Sequence, residues 1–152
     1  MRRIDALFFL QQLDKFKIIK DENGFEFVLF ESNALNSITG VKDKTEFEAI
    51  ENHLHLLENI SSKEFKNLLP IAESIGNMLL CCLKQNFPDK DFVVFVSIRI
   101  RDSLIIRFHQ KWKNEAAYYN PNDYLDSNEK VFVFEWGKAG EDRGTFLCLK
   151  TQ

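Results

Sequence analysis

An α+β fold, an antiparallel β-meander packed on one face by helices and preceded by an N-terminal helix and hairpin, is predicted by three features of this sequence. Residues 92–112 alternate apolar and polar positions with the two-residue period of paired strands. Residues 45–86 carry apolar side chains at helical spacing behind two capping signals. Asp21-Glu22-Asn23-Gly24 separates two short β-type runs, and Asn-Gly is a strong turn signal. Strands and helices come in blocks rather than in alternation, the order expected of an α+β domain with helices segregated to one side.

Taken from the N-terminus, Ile4, Leu7, Leu10, Leu13 and Phe16 recur every third position and predict an amphipathic first helix. A hairpin follows over 17–20 and 25–31, and then an irregular polar connection over 32–44. Thr45 with Glu48 has the spacing of a capping box, and Phe47, Ile50, Leu54 and Leu57 extend a second helix to about Asn59. Ser61 with Glu64 repeats the device. Pro70 is expected to kink that helix or to open the next one, whose buried stripe is Ile71, Ile75, Leu79 and Leu83.

In the central hairpin Phe92, Val94, Val96, Ile98 and Ile100 form one face of the first strand, and Leu104, Ile106, Phe108, Gln110 and Trp112 one face of the second. A loop centred on Asp102, of three or five residues, pairs Ile100 with Leu104, Ile98 with Ile106 and Val96 with Phe108. Without a Gly at the left-handed position, the longer loop is favoured. The opposite face then carries Arg99, Arg101, Arg107, His109 and Lys111 beside Val93, Phe95 and Ile105. Further strands are expected at 131–136 and 145–150.

The 152 residues fit a single domain, 1–152, with an aromatic core: 15 Phe stand against 2 Met, 6 Gly and 3 Pro. A net charge of −3 argues against non-specific affinity for nucleic acid or an anionic membrane, so any basic site is local. Cys81, Cys82 and Cys148 do not make a disulfide framework, and the apolar run 6–10 is too short for a signal peptide or a membrane span. The expectation is a cytoplasmic protein with reduced thiols.

Chemistry is harder to find. His53 and His55, read on a helix, do not face each other and lack the i, i+4 spacing of a metal pair, so no metal or cofactor is expected. The glycines at 137, 140 and 144 match no phosphate cradle, and no serine or cysteine stands in a nucleophile context. Asp89 before a strand lacks the acid-x-Lys that a metal nuclease needs on the strands that follow. The chain therefore reads as a non-catalytic binder.

Two surfaces compete for that role. The connection 113–130 holds all three tyrosines and several carboxylates, and tyrosine supplies contact area at low entropic cost. Tyr118, Tyr119, Asp123, Tyr124, Asp126 and Glu129 are the candidate partner-binding residues, suited to a basic protein. The alternative is a small anion- or ligand-binding module, with weak activity at most, that uses Arg99, Arg107, His109 and Lys111 on the basic sheet face. A homodimer through a sheet edge is a third reading.

In architecture and composition the whole chain resembles the small α+β immunity proteins of bacterial toxin and immunity pairs, including contact-dependent inhibition systems. No motif carries the resemblance, so no family residue is transferred. It implies a protein that binds and blocks a cognate toxin domain, often a basic nuclease, with electrostatic steering to speed capture.

Overall fold

The computed structural model describes residues 11, 13–32, 40–120 and 128–136. The expected first helix falls almost wholly outside these residues, as does the strand at 145–150. Within them the chain forms β1 (Phe16–Lys20), β2 (Glu26–Phe30), α1 (Lys44–Glu51), β3 (His53–Glu58), α2 (Ser62–Asn86), β4 (Phe92–Arg99), β5 (Ser103–Gln110) and β6 (Glu129–Glu135). The fold is α+β, with strands in two antiparallel sheets: β1-β2, and a larger one in the order β3-β5-β4-β6. Strand order refines the expected meander, because β6 lies beside β4 rather than β5.

The first hairpin forms where the sequence places it. The Asp21 carboxylate accepts from the N–H groups of Asn23 and Phe25, each at 2.9 Å. Gly24 takes the left-handed conformation, φ 82°, that closes the loop without a side-chain clash.

The second helix is shorter than expected. Asp43, not Thr45, caps it by accepting from the Glu46 N–H, and it ends at Glu51. Residues 53–58 are an edge strand against β5, pairing His53 with Arg107 and Leu54 with Ile106. Leu54 and Leu56 are buried while His53 and His55 face away, so the alternation His-Leu-His-Leu is the better guide. The i, i+4 spacing of Ile50 and Leu54 fits both structures up to the break at Asn52.

The Ser61–Glu64 capping box forms as expected, with Ser61 Oγ accepting from Glu64 N and Glu64 Oε2 accepting from Ser61 N. α2 then runs unbroken through Pro70. An interior proline costs a helix about 3 kcal/mol, and here one apolar face continues past it through Ala72, Gly76, Leu79, Leu80 and Leu83. Ile71, expected on that stripe, is exposed. The stripe is rotated because α2 approaches the sheet through its small residues. A Cβ built on Gly76 would lie 2.1 Å from the buried ring of Phe134 on β6. Gly76→Ala therefore lowers stability by about 1–3 kcal/mol in urea denaturation despite alanine's better helix propensity, and adding Phe134→Leu restores most of it.

The central hairpin has the expected faces but a register shifted by two residues. Ile98 pairs with Leu104, Val96 with Ile106, Val94 with Phe108 and Phe92 with Gln110. The last pair is Ile98 with Leu104, so the longer, five-residue turn 99–103 forms, centred on Arg101 at φ 63° rather than on Asp102. Contacts from outside the hairpin select this register. Arg101 N donates to Ile60 O at 2.8 Å, Ile60 N to Asp102 O at 3.2 Å, and Ile100 N to Asn128 O at 2.9 Å. The apolar face of the sheet, the β1-β2 hairpin and α2 enclose one core, in which Phe108 packs against Phe16, Phe30 and Phe92.

Candidate functional site

Residues 113–120 leave β5 and fold back over the second face of the large sheet. Glu115 fastens this segment to the start of α1: one carboxylate oxygen accepts from Thr45 N at 2.8 Å and the other pairs with the Lys44 ammonium. Burial pushes the Glu115 carboxyl up, but these partners outweigh it and hold the pKa below the ordinary value. Farther along, Tyr118 N donates to His109 Nε2 at 3.2 Å. His109 is 1% exposed, and its Nδ1 lies 2.7 Å from Gln110 O. With Nε2 accepting, Nδ1 must donate, which defines the neutral tautomer.

These anchors set two tyrosines on the sheet. Arg107 lies under them, its guanidinium carbon 4.7 Å from the Tyr118 ring centroid and 5.8 Å from that of Tyr119. The Tyr119 ring also meets Phe95 edge-on at 5.0 Å and Tyr118 at 5.1 Å. Its hydroxyl bonds Ser97, and burial raises its pKa. Below lies a small second cluster, Val93, Phe95, Val131 and Val133. Arg107 Nε is buried without a hydrogen-bond partner. The weakly hydrated, planar guanidinium tolerates this better than an ammonium, because its flat face stacks on the rings.

The two candidate sets therefore meet at four residues. Tyr118 and Tyr119 of the partner-binding set cover Arg107 and His109 of the anion-binding set. Arg99 and Lys111 are the exposed members of the cationic quartet, and Lys111 is paired with Glu135 across the sheet at 2.7 Å. That quartet is not a continuous basic face. Its alternation was legible, but a chain returning over it was not. Glu129 opens β6, opposite Arg99. Asp123, Tyr124 and Asp126 lie outside the described residues.

Burial lowers the His109 pKa below its ordinary 6.5. Between those two values the unfolded chain carries a proton that the folded chain refuses. The stability His109 confers is thus complete above about 6.5 and is lost as pH falls through the folded value. His109→Gln should remove this acid sensitivity, read as the difference in unfolding free energy between the two proteins from pH 7.5 to 5.

Sequence reasoning missed Glu48. The residue is fully buried, and its carboxylate receives four N–H groups. Val28 N and Gln110 Nε2 donate to Oε1 at 3.0 and 2.6 Å, while Gln110 N and Trp112 Nε1 donate to Oε2 at 2.6 and 3.0 Å. One turn on, Asn52 extends the pattern. Its Oδ1 accepts from Phe30 N at 3.0 Å, and its Nδ2 donates to Val28 O at 2.8 Å. Gln110 Nε2 also reaches Glu26 O. Side chains of α1 and β5 thus satisfy the open edge of β2 as a neighbouring strand would, and they join the small sheet to the large one. A Glu four positions before an Asn, in a helix beside an unpaired strand, was the available signal.

His53 and His55 also change meaning. On a strand, i, i+2 residues share a face, and the two rings lie 5.7 Å apart, so the geometric ground for excluding a pair fails. No group of three or more metal-ligating side chains occurs among the described residues. Among those residues, too, no helix is long and apolar enough to cross a membrane.

Fold and site together define an α+β protein with an antiparallel sheet, one face of which is capped by an anchored, tyrosine-bearing segment. No family model, curated protein or solved structure matches this chain.

Proposed function

We propose that this chain is a non-catalytic binding protein of the immunity type, which captures and neutralises a cognate bacterial toxin domain in the cytoplasm. The observation that supports this reading is the anchoring of residues 113–120. Glu115 and the Tyr118 amide hold the segment to α1 and β5, and Tyr118 and Tyr119 are only partly buried there. Aromatic side chains already ordered on a rigid sheet lose little entropy on binding, which suits them to act as interface anchors. Tyr118 is the outward anchor, since the Tyr119 hydroxyl is engaged by Ser97. The carboxylates Asp123, Asp126 and Glu129 supply the charge that favours a basic partner.

The test is capture of the product of the adjacent gene by the tagged chain, repeated with Tyr118→Ala, Tyr124→Ala and Asp126→Lys. Capture by the wild type, with each substitution weakening it about tenfold or more, supports the assignment. Unchanged capture by all three variants would place the interface elsewhere, and no capture by the wild type would refute the pairing.

A further inference from the structure

At the far end of the same sheet, three connections converge. The hairpin tip 100–102 is bonded to the β3–α2 junction through Ile60 and to the start of β6 through Asn128. Between them lies a polar surface hollow of about 300 Å³, lined by Ser62, Arg99, Ile100, Arg101 and Asn128. Several cations of this molecule have ionic partners: Lys111 with Glu135, Lys44 with Glu115, Lys84 with Asp91, and Lys20 and Lys90 with Glu26. Arg99 and Arg101 form no ion pair among the described residues, although Glu129 stands opposite Arg99 in the ladder. The Asp102 carboxylate is engaged by the Ser103 hydroxyl at 3.2 Å, and that of Glu64 by Ser61.

From this geometry we infer that the hollow binds a small dianionic oxyanion, a phosphate or phosphate monoester, between the guanidinium groups of Arg99 and Arg101. Two guanidiniums beside one polar hollow match a doubly charged ligand, because each fork can donate two parallel N–H bonds to phosphate oxygens. Ser62 adds a hydroxyl. The start of α2 is not the source of the site, since the capping box already occupies it. Rigidity comes from the tip, whose three backbone bonds to Ile60 and Asn128 hold Arg101 in its left-handed conformation. The site is separate from the tyrosine segment and does not depend on the protein-binding reading.

Amide chemical shifts under titration with inorganic phosphate, with phenyl phosphate, and with sodium chloride at matched ionic strength test this. The expected result is a saturable change confined to Ser62, residues 99–101 and Asn128, with a dissociation constant on the order of a millimolar. Arg99→Gln and Arg101→Asn should each weaken it about tenfold while keeping the wild-type melting temperature; asparagine is chosen because it tolerates positive φ. Lys111→Gln should leave it unchanged. Tighter binding of phenyl phosphate points to an esterified ligand and equal or weaker binding to the free anion, and either supports the site. The absence of a saturable change, an equal response to chloride, or full binding by both arginine variants would overturn it.

Discussion

Replacing Glu48 by Leu is expected to destabilise the protein by about 3–5 kcal/mol near pH 6, measured by urea denaturation. Three buried N–H groups and the half-buried Trp112 indole lose their acceptor, and a buried donor left unsatisfied costs about 1–3 kcal/mol. The total is less than their sum because removing the carboxyl relieves its own desolvation. The loss should appear first as exchange of the Val28 amide, since the β1-β2 hairpin is joined to the larger sheet there. A cost below about 1 kcal/mol would show that apolar packing alone holds the hairpin.

The same residue makes stability depend on pH in a sense opposite to that of His109. Burial pushes the Glu48 carboxyl up from 4.5 to about 7, against the pull of its four donors towards the anion. Between those values the folded chain holds a proton that the unfolded chain has released. Glu48 therefore contributes most below about 4.5, and its contribution falls as pH rises through 7. At about 1.4 kcal/mol per unit, wild type should lose about 3 kcal/mol relative to Glu48→Gln across that window. Comparison with the Gln variant is essential because both proteins carry His109, whose effect then cancels. A difference independent of pH would mean that the donors keep the carboxylate ionised throughout.

Phe108→Ala is the second large effect, at about 3–5 kcal/mol. The ring is fully buried and meets Phe30 edge-on at 4.9 Å, Phe16 at 5.9 Å and Phe92 at 6.1 Å. It thus contacts β1, β2 and β4 from its place on β5, and alanine would leave a cavity that none of these strands can collapse to fill. Phe108→Leu should recover much of the loss. Equal losses for Leu and Ala would indicate that the edge-to-face ring contacts, rather than volume, carry the energy.

Local signals were read correctly where they had no competitor. Ser61 and Glu64 close on each other because both sit in solvent with nothing else to bond. Thr45 and Glu48 have the same spacing but fail as a box, because Asp43 takes the cap while Glu48 turns inward to three amide N–H groups of β2 and β5 and the indole N–H of Trp112. The period of two assigned the residues of both strands, 92–99 and 103–110, to their proper faces, while Ile100, expected on the apolar face, lies in the turn and lines the polar hollow. It did not set the register, since a shift of two residues preserves every face. That choice fell to Ile60, Asn128 and Glu48, which bond the tip and Gln110 from elsewhere in the chain.

Sequence alone determined the α+β class, the two hairpins, the aromatic core and the faces of the central strands, because turn chemistry and hydrophobic period are properties of neighbouring residues. Only the tertiary structure decided that residues 53–58 are a strand, that Tyr118 and Tyr119 lie over Arg107 and His109, and that Arg99 is left with Arg101 at an open hollow. Each of these depends on which buried donor, acceptor or ring is brought to a residue from a distant segment, and the energies of such contacts exceed the local preferences they override.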